Sequence, residues 1–512
     1  MTASRALLPA LFAVLAIAGG LTPPARLTAA DPPAAAAGPV SYYKDIRPIL
    51  AQHCNGCHQP AKPQGGYITT GHPDLLKPGE REKPGVVPGK PADSYLLDQI
   101  ALHGGQAEMP KGRDPLTPAQ VKLVADWIAQ GAADDTPMSA RAAPVDADHP
   151  PAYAAPPVVT SVAFDPTGEY LAVAGFHEVL LYSAKDYRLV SRLIGLAERI
   201  NAVAFSPDGR RLAAAGGSPG RFGEVQVWDH AKPRLLVSAP FTFDTLYGAS
   251  WSPDGKVLAF GCADNTVRAI DPTTGKQVLF MGTHSDWVLG TVFSQDGQHL
   301  ASVGRDMSLK LTEVPTQRFV DNVTSITPGA LKGGLMAVDR RPPLPPVPVK
   351  LFGVPLGVKV RRMQKVPADT PDVPPKVYDE LLAAGADGTP RLYKMHREQK
   401  REIGDDANKV REYEPLPGRV GSVAFSPDGQ HFAACSSLDG RGEVRVYETD
   451  TGTKVAFEKV SGPAYAVAWR PDGKAVASAG FEGKVWVHDP ATGKLLAEFV
   501  VLPAAAAAAG TR

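Results

Sequence analysis

The chain has 512 residues, 44% of them apolar, which is enough for two or three buried cores. Its 54 basic and 53 acidic side chains leave a net charge of +1, which excludes wholesale nucleic-acid binding. Glycine and proline number 50 each, pointing to many turns between short strands, and four cysteines exclude a disulfide framework.

In chain order, the first segment reads as a targeting signal. Arg5 precedes the apolar run "ALLPALFAVLAIAGGL", and small residues follow to Thr28, Ala29 and Ala30. A basic start, about 15 apolar residues and a small-residue cleavage site predict a signal peptide over residues 1–30. The expectation is a periplasmic or otherwise extracytoplasmic protein with no membrane span after cleavage.

Two of the four cysteines stand at "HCNGCH", residues 53 to 58. C-x-x-C-H is the arrangement for covalent c-type haem attachment. Cys54 and Cys57 would each form a thioether with a haem vinyl group, and the adjacent His58 would be the proximal iron ligand. A zinc site lacks a second cysteine pair, and a dithiol redox pair leaves His58 without a role. Upstream, Ile46, Ile49 and Leu50 recur at helical spacing and predict a helix leading to Cys54.

The other axial position calls for a soft or imidazole donor from a loop. Met109, in "GGQAEMPKG", stands 51 residues after His58. A methionine thioether there would raise the potential, and His103 is the alternative ligand to Met109. His53 and His72 are weaker candidates, expected at the surface. After the loop, "LTPAQVKLVADWIAQGA" predicts a helix: Thr117 and Gln120 form a capping box, Pro118 takes the first turn and Gly131 marks the end. Val121, Val124, Trp127 and Ile128 make its apolar face.

With "CNGCH", "VVPGKPADSYLLDQI", "EMP" and "LTPAQVKLVADWIAQGA", residues 40–133 resemble the cytochrome c domain of planctomycete-type secreted proteins. The resemblance implies His58 and Met109 as the haem ligands. It departs where the usual second proline after the methionine is Lys111.

Residues 134–155 are rich in Pro and Ala and predict a semi-extended linker between separable domains. From 156 to 502 the chain repeats. "FDPTG" at 164, "FSPDG" at 205, "WSPDG" at 251, "FSQDG" at 293, "FSPDG" at 425 and "WRPDG" at 469 recur at 41 to 46 residues, apart from one gap of 132. Tight turns between short apolar strands at this period predict a WD-repeat propeller. In the long gap "GGLMAV" and "ELLAAGADGTPRLYKM" supply a further unit, making seven blades. Only the second unit keeps the dipeptide, Trp228 and Asp229. In the fourth, His284, Ser302 and Asp306 are placed to form a stabilising hydrogen-bond set, with Thr312 at the usual tryptophan position. Cys262 and Cys435 fall on inner strands as buried thiols. "TTGK" at 273–276 and "ATGK" at 491–494 lack the preceding glycine of a phosphate loop and read as hairpin turns.

An insertion spans residues 340–376. Its stretch 340–365 holds Arg340, Arg341, Lys350, Lys359, Arg361, Arg362 and Lys365 without one acid. It is expected to be a solvated loop or a docking arm for an acidic partner. Farther on, "EIGDDANKVREYEPLPGRV" again resembles planctomycete WD-repeat proteins. Residues 503–512 are a low-complexity tail.

The expected fold is thus multidomain, a small all-α cytochrome c domain followed by an all-β seven-bladed WD-repeat propeller. The expected function is that of an exported mono-haem cytochrome carrying single electrons between an unnamed donor and acceptor, with one covalent haem c. The propeller would bind a protein or polymer partner and no nucleic acid. No catalytic set is evident, so an electron carrier is favoured over a catalyst. The alternatives are a propeller-cytochrome oxidoreductase with an additional cofactor, or a non-redox interaction scaffold.

Overall fold

The computed structural model describes residues 38–59, 62–137, 145–327, 329–343, 379–400, 402 and 404–502. The expected signal segment 1–30, most of the insertion and the tail 503–512 lie outside these. Among the described residues no helix is long and apolar enough to cross a membrane.

The helical part begins with a wide π-turn, Tyr42–Ile46, capped by the Ser41 hydroxyl at the Lys44 N–H. It passes directly into helix α1, Arg47–His53, with Cys54 as its C-cap. Ile46, Ile49 and Leu50 are buried, so the apolar stripe seen in the sequence faces inward. Helices α2 (His72–Leu75), α3 (Tyr95–Ile100) and α4 (Pro118–Ala129) follow, and the segment is not all-α as expected, since His58–Gln59 pairs antiparallel with Lys62–Pro63 before α2. At the start of α4 both halves of the Thr117–Gln120 capping box are formed. Gly131 adopts φ +101°, the left-handed conformation that ends the helix without Cβ strain. Tyr42, Ile46, Leu50, Cys54, Trp127 and Ile128 share one core.

The rest is mostly β, in antiparallel sheets of the WD propeller type. Five four-stranded meanders follow a seven-stranded sheet running from Val162–Phe164 to Arg234–Thr242. In that sheet the 17-residue strand Leu189–Phe205 pairs along its first half with Phe176–Ser183 and along its second half with Arg211–Ser218. The "SPDG" turns repeat one chemistry. Ser206 donates to the Asp208 carboxylate at 2.6 Å and accepts from the Arg211 N–H at 2.9 Å, and Ser252, Ser294 and Ser426 do the same in later units. Both "TGK" segments are hairpin turns, closed by the Gly275 N–H to the Asp271 carbonyl and by Gly493 to Asp489.

First and last sheets meet in one core, where Val159, Leu171 and Val173 pack with Ala477, Val485 and Val487. The Val159 N–H donates to the Gly480 carbonyl at 2.9 Å, tying the two together. Burial of such apolar seams is the main force holding sheet to sheet.

In the fourth unit His284 Nδ1 lies 3.0 Å from Asp306 and Nε2 lies 2.8 Å from the Ser302 hydroxyl. Burial alone would raise the Asp306 carboxyl. Hydrogen bonds and charge from His284, with further bonds from Ser308 and the Ser285 N–H, hold it well below the ordinary range instead. Trp228 donates through Nε1 to the Gln226 amide oxygen at 3.0 Å. Cys262 and Cys435 are fully buried free thiols.

Two expectations change. Residues at the start of the basic insertion are compensated: Arg341 is buried and paired with Glu380 and Asp450, each at 2.8 Å, and Arg340 approaches Asp379 at 3.6 Å. Removing these cations from water is tolerable only with such partners, and sequence could not reveal an acid 109 residues away. The other five cations of the arm lie outside the described residues. The linker is also less free than its composition implies. Tyr43 N–H donates to the Asp135 carboxylate at 2.9 Å. Farther on, the Pro151 carbonyl accepts from Arg192 at 2.8 Å, and the Tyr153 hydroxyl donates to Glu178 at 2.6 Å.

Candidate haem-attachment site

The site is built at the end of α1. Its last turn closes through Cys54 N–H to the Leu50 carbonyl, and the chain then turns back with Cys57 and His58 N–H groups both donating to the Cys54 carbonyl at 3.0 Å. Cys54 is buried and Cys57 half-buried, both as free thiols. Burial, with a smaller contribution from Cys57, pushes the Cys54 thiol up to about 12. A protonated buried thiol is unlike the low-pKa thiolate of a dithiol oxidoreductase.

His58 is half-buried with its Nδ1 3.1 Å from the Tyr67 carbonyl. A carbonyl only accepts, so the proton sits on Nδ1 and Nε2 keeps a free lone pair, the arrangement in which a metal-ligating histidine is held. Burial lowers the His58 pKa against the pull of the Tyr67 and Gln64 backbone, favouring the neutral ligand form. Tyr67 is fixed in turn by its hydroxyl bond to the Leu75 carbonyl at 2.9 Å, and the Thr69 hydroxyl lies 2.8 Å from the Asn55 amide and 3.1 Å from the His58 carbonyl.

Met109 packs against the same apolar core as Cys54, Leu96 and Ile100, and its N–H donates to the Gln99 carbonyl at 2.9 Å. His103 is exposed, its Nε2 3.2 Å from the Asp98 carbonyl. His53, half-buried, reaches the Gln120 amide at 3.4 Å. His72, expected at the surface, is wedged edge-on between Tyr42 and Trp127 with Nε2 2.7 Å from the Ala132 carbonyl.

The residues present fit a c-type haem. Two thiols three positions apart end a helix, one imidazole offers a free Nε2, and a thioether faces the same core. Among the described residues no three His, Cys, Asp or Glu side chains gather as a chelating group. Sequence reasoning missed Tyr67, which acts through its backbone carbonyl and so leaves no side-chain signature, and Thr69, whose partner Asn55 lies inside the motif.

Comparison with known proteins agrees with this division. Residues 54–112 match the family described as planctomycete cytochrome C. Residues 188–229, 275–312 and 410–442 match the WD domain, G-beta repeat, and residues 221–289 match the anaphase-promoting complex subunit 4 WD40 domain. Similar proteins include a chromatin assembly factor 1 component of Gallus gallus, 24% identical over 27% of this chain and 27% of its own. Periodic tryptophan protein 2 of Saccharomyces cerevisiae is 27% identical over 59% of this chain and 31% of its own. WD repeat-containing protein SL1-17 of Schistosoma mansoni is 30% identical over 32% of this chain and 52% of its own. The chain therefore spans about a quarter to a half of the length of these relatives. These relatives agree with the WD-repeat matches of the β portion.

These relatives overturn the expected periplasmic location. Proteins named for chromatin assembly belong to the cell interior and are not exported, and residues 1–30, on which that expectation rested, lie outside the described residues. The chain thus carries one segment that matches the planctomycete cytochrome C family and several that match WD repeats.

Proposed function

We propose that the chain is a single-electron carrier whose propeller serves as a protein-binding module. Cys54 and Cys57 are the attachment points of one haem c, and His58 and Met109 are its iron ligands. When bound, this group would supply reversible one-electron chemistry, its iron held by His58 and Met109. The helical domain spans 40–133, the linker 134–155 and the propeller 156–502. The five four-stranded sheets and the shared seven-stranded sheet read as seven blades, with Leu189–Phe205 the outer strand of the first and the inner strand of the second.

The observation that carries the reading is the His58 Nδ1 bond to the Tyr67 carbonyl at 3.1 Å, which aims Nε2 as a ligand. Met109 supports it by facing the same core as Cys54, whereas exposed His103 faces Asp98. Protein added to a cytochrome c maturation system should give a low-spin spectrum, reversible one-electron reduction and no carbon monoxide binding in the ferrous state. Met109→Ala should lower the potential and admit carbon monoxide, with His103→Ala changing neither. Carbon monoxide binding by the unaltered protein, or a ligand change only in His103→Ala, would overturn the assignment.

A further inference from the structure

The turn that carries Cys54, Cys57 and His58 does not stand free of the β portion. Gly56 is buried against the outer strand Arg234–Thr242, where an added Cβ would stand 2.6 Å from the Ser238 carbonyl and 3.2 Å from Pro240 Cδ. That approach requires a residue without a side chain. Gln59, next to His58, is fully buried. Its amide donates to the Asn55 carbonyl at 3.1 Å and hydrogen-bonds the Glu224 carboxyl.

Glu224 is the centre of a closed polar cluster on the strand Phe222–Asp229. It accepts from Gln226 at 2.9 Å and from the Ser238 hydroxyl, and the Ala197 N–H of the preceding long strand bonds it as well. Gln226, Glu224 and Ser238 are all buried. Gly195 lies close enough to Gln226 that a Cβ there would sit 2.3 Å from its amide nitrogen. A second contact lies along the same rim, where Gly112 of the Met109 loop approaches the Lys276 side chain at the hairpin turn of the next sheet. The linker, held to the same first sheet at Pro151 and Tyr153, leads the helical segment to this place.

We propose that the rim formed by Ala197, Glu224, Ser238 and Pro240 is the docking surface for the chain's own Cys54–Gln59 turn, with Gln59 and Gly56 as its anchors. The physical reasons are three. An outer strand presents unpaired backbone groups that need a cover. A buried carboxyl needs every available donor. Finally, the short tether raises the effective concentration of the turn at the rim, so a small interface is enough. The β portion thereby holds the attachment turn in one orientation, and an electron partner meets only the face left uncovered. This goes beyond the electron-carrier reading and would stand without it.

The test is lysine cross-linking on the intact, dilute chain, read by mass spectrometry. A short amine-reactive linker should join Lys111 to Lys276 within one molecule, at a yield independent of protein concentration. Gln59→Glu, which sets a second carboxyl against Glu224, and Gly56→Val, which drives a side chain into the Ser238 carbonyl, should each cut that yield by at least about tenfold while the melting of the β portion stays in place. Absence of the cross-link in the unaltered chain, its appearance only between isotope-mixed copies, or full retention in both variants would overturn the docking. Mass analysis of the same samples reports haem separately. A haem-free chain that still cross-links would sink the electron carrier alone, and a haem-bearing chain that does not would sink the docking alone.

Discussion

His58, Tyr67 and Cys54 show how few atoms define the turn proposed to carry the haem. A single backbone carbonyl fixes the histidine tautomer, and burial keeps one thiol protonated while its neighbour remains half-exposed. In protein prepared without haem, iodoacetamide at pH 8 should therefore label Cys57 at least about tenfold faster than Cys54. Equal rates would show that Cys54 is not held in the core. A second residue-scale case is Asp306, paired with His284. Its folded pKa is depressed, so the stability it contributes is fully present above the ordinary carboxylate pKa of about 4 and is lost as pH falls through the lower folded value. Asp306→Asn should cost about 2 kcal/mol at neutral pH and should flatten the acid limb of a plot of thermal midpoint against pH. An unchanged acid limb would remove Asp306 from the account.

At the scale of elements, what was legible in the sequence is what is local. The capping box of α4 is contained in the four residues from Thr117 to Gln120, and Thr117→Ala should cost about 1 kcal/mol in denaturant melts of the helical part; no loss would mean the cap is idle. The Ser-x-Asp-Gly turns were equally legible because hydroxyl, carboxylate and glycine all act within five residues. The α1 stripe of Ile46, Ile49 and Leu50 was read correctly for the same reason, since helical period alone decides which face turns inward. The extra-wide first turn was not foreseen, nor was Leu189–Phe205, which runs unbroken through the middle of one seven-stranded sheet where other units are separated. The sequence around Gly195 contains no strong turn signal to divide it.

The scale of the whole molecule is where sequence reasoning had least to work with. Arg341 finds Asp450, and Gln59 finds Glu224, across separations no pattern announces. Tyr153, in a stretch read as spacer, anchors to the buried Glu178, which Arg192 also holds at 2.6 Å. Tyr153→Phe should leave the fold intact and raise amide exchange around residues 151–157, because the hydroxyl bonds that hold that stretch to the first sheet are gone. Unaltered exchange would show the anchor to be packing alone. Location was misjudged from the N-terminal composition, while the relatives carry the opposite indication.

The central claim is that the turn Cys54–His58 holds a covalent haem, and the intact mass of the chain expressed with a cytochrome c maturation system tests it most directly. The account predicts the mass of the chain plus one haem, resistant to acid-acetone extraction and absent when Cys54 and Cys57 are both replaced by alanine. An unmodified mass under those conditions, or haem that extracts freely, would contradict it.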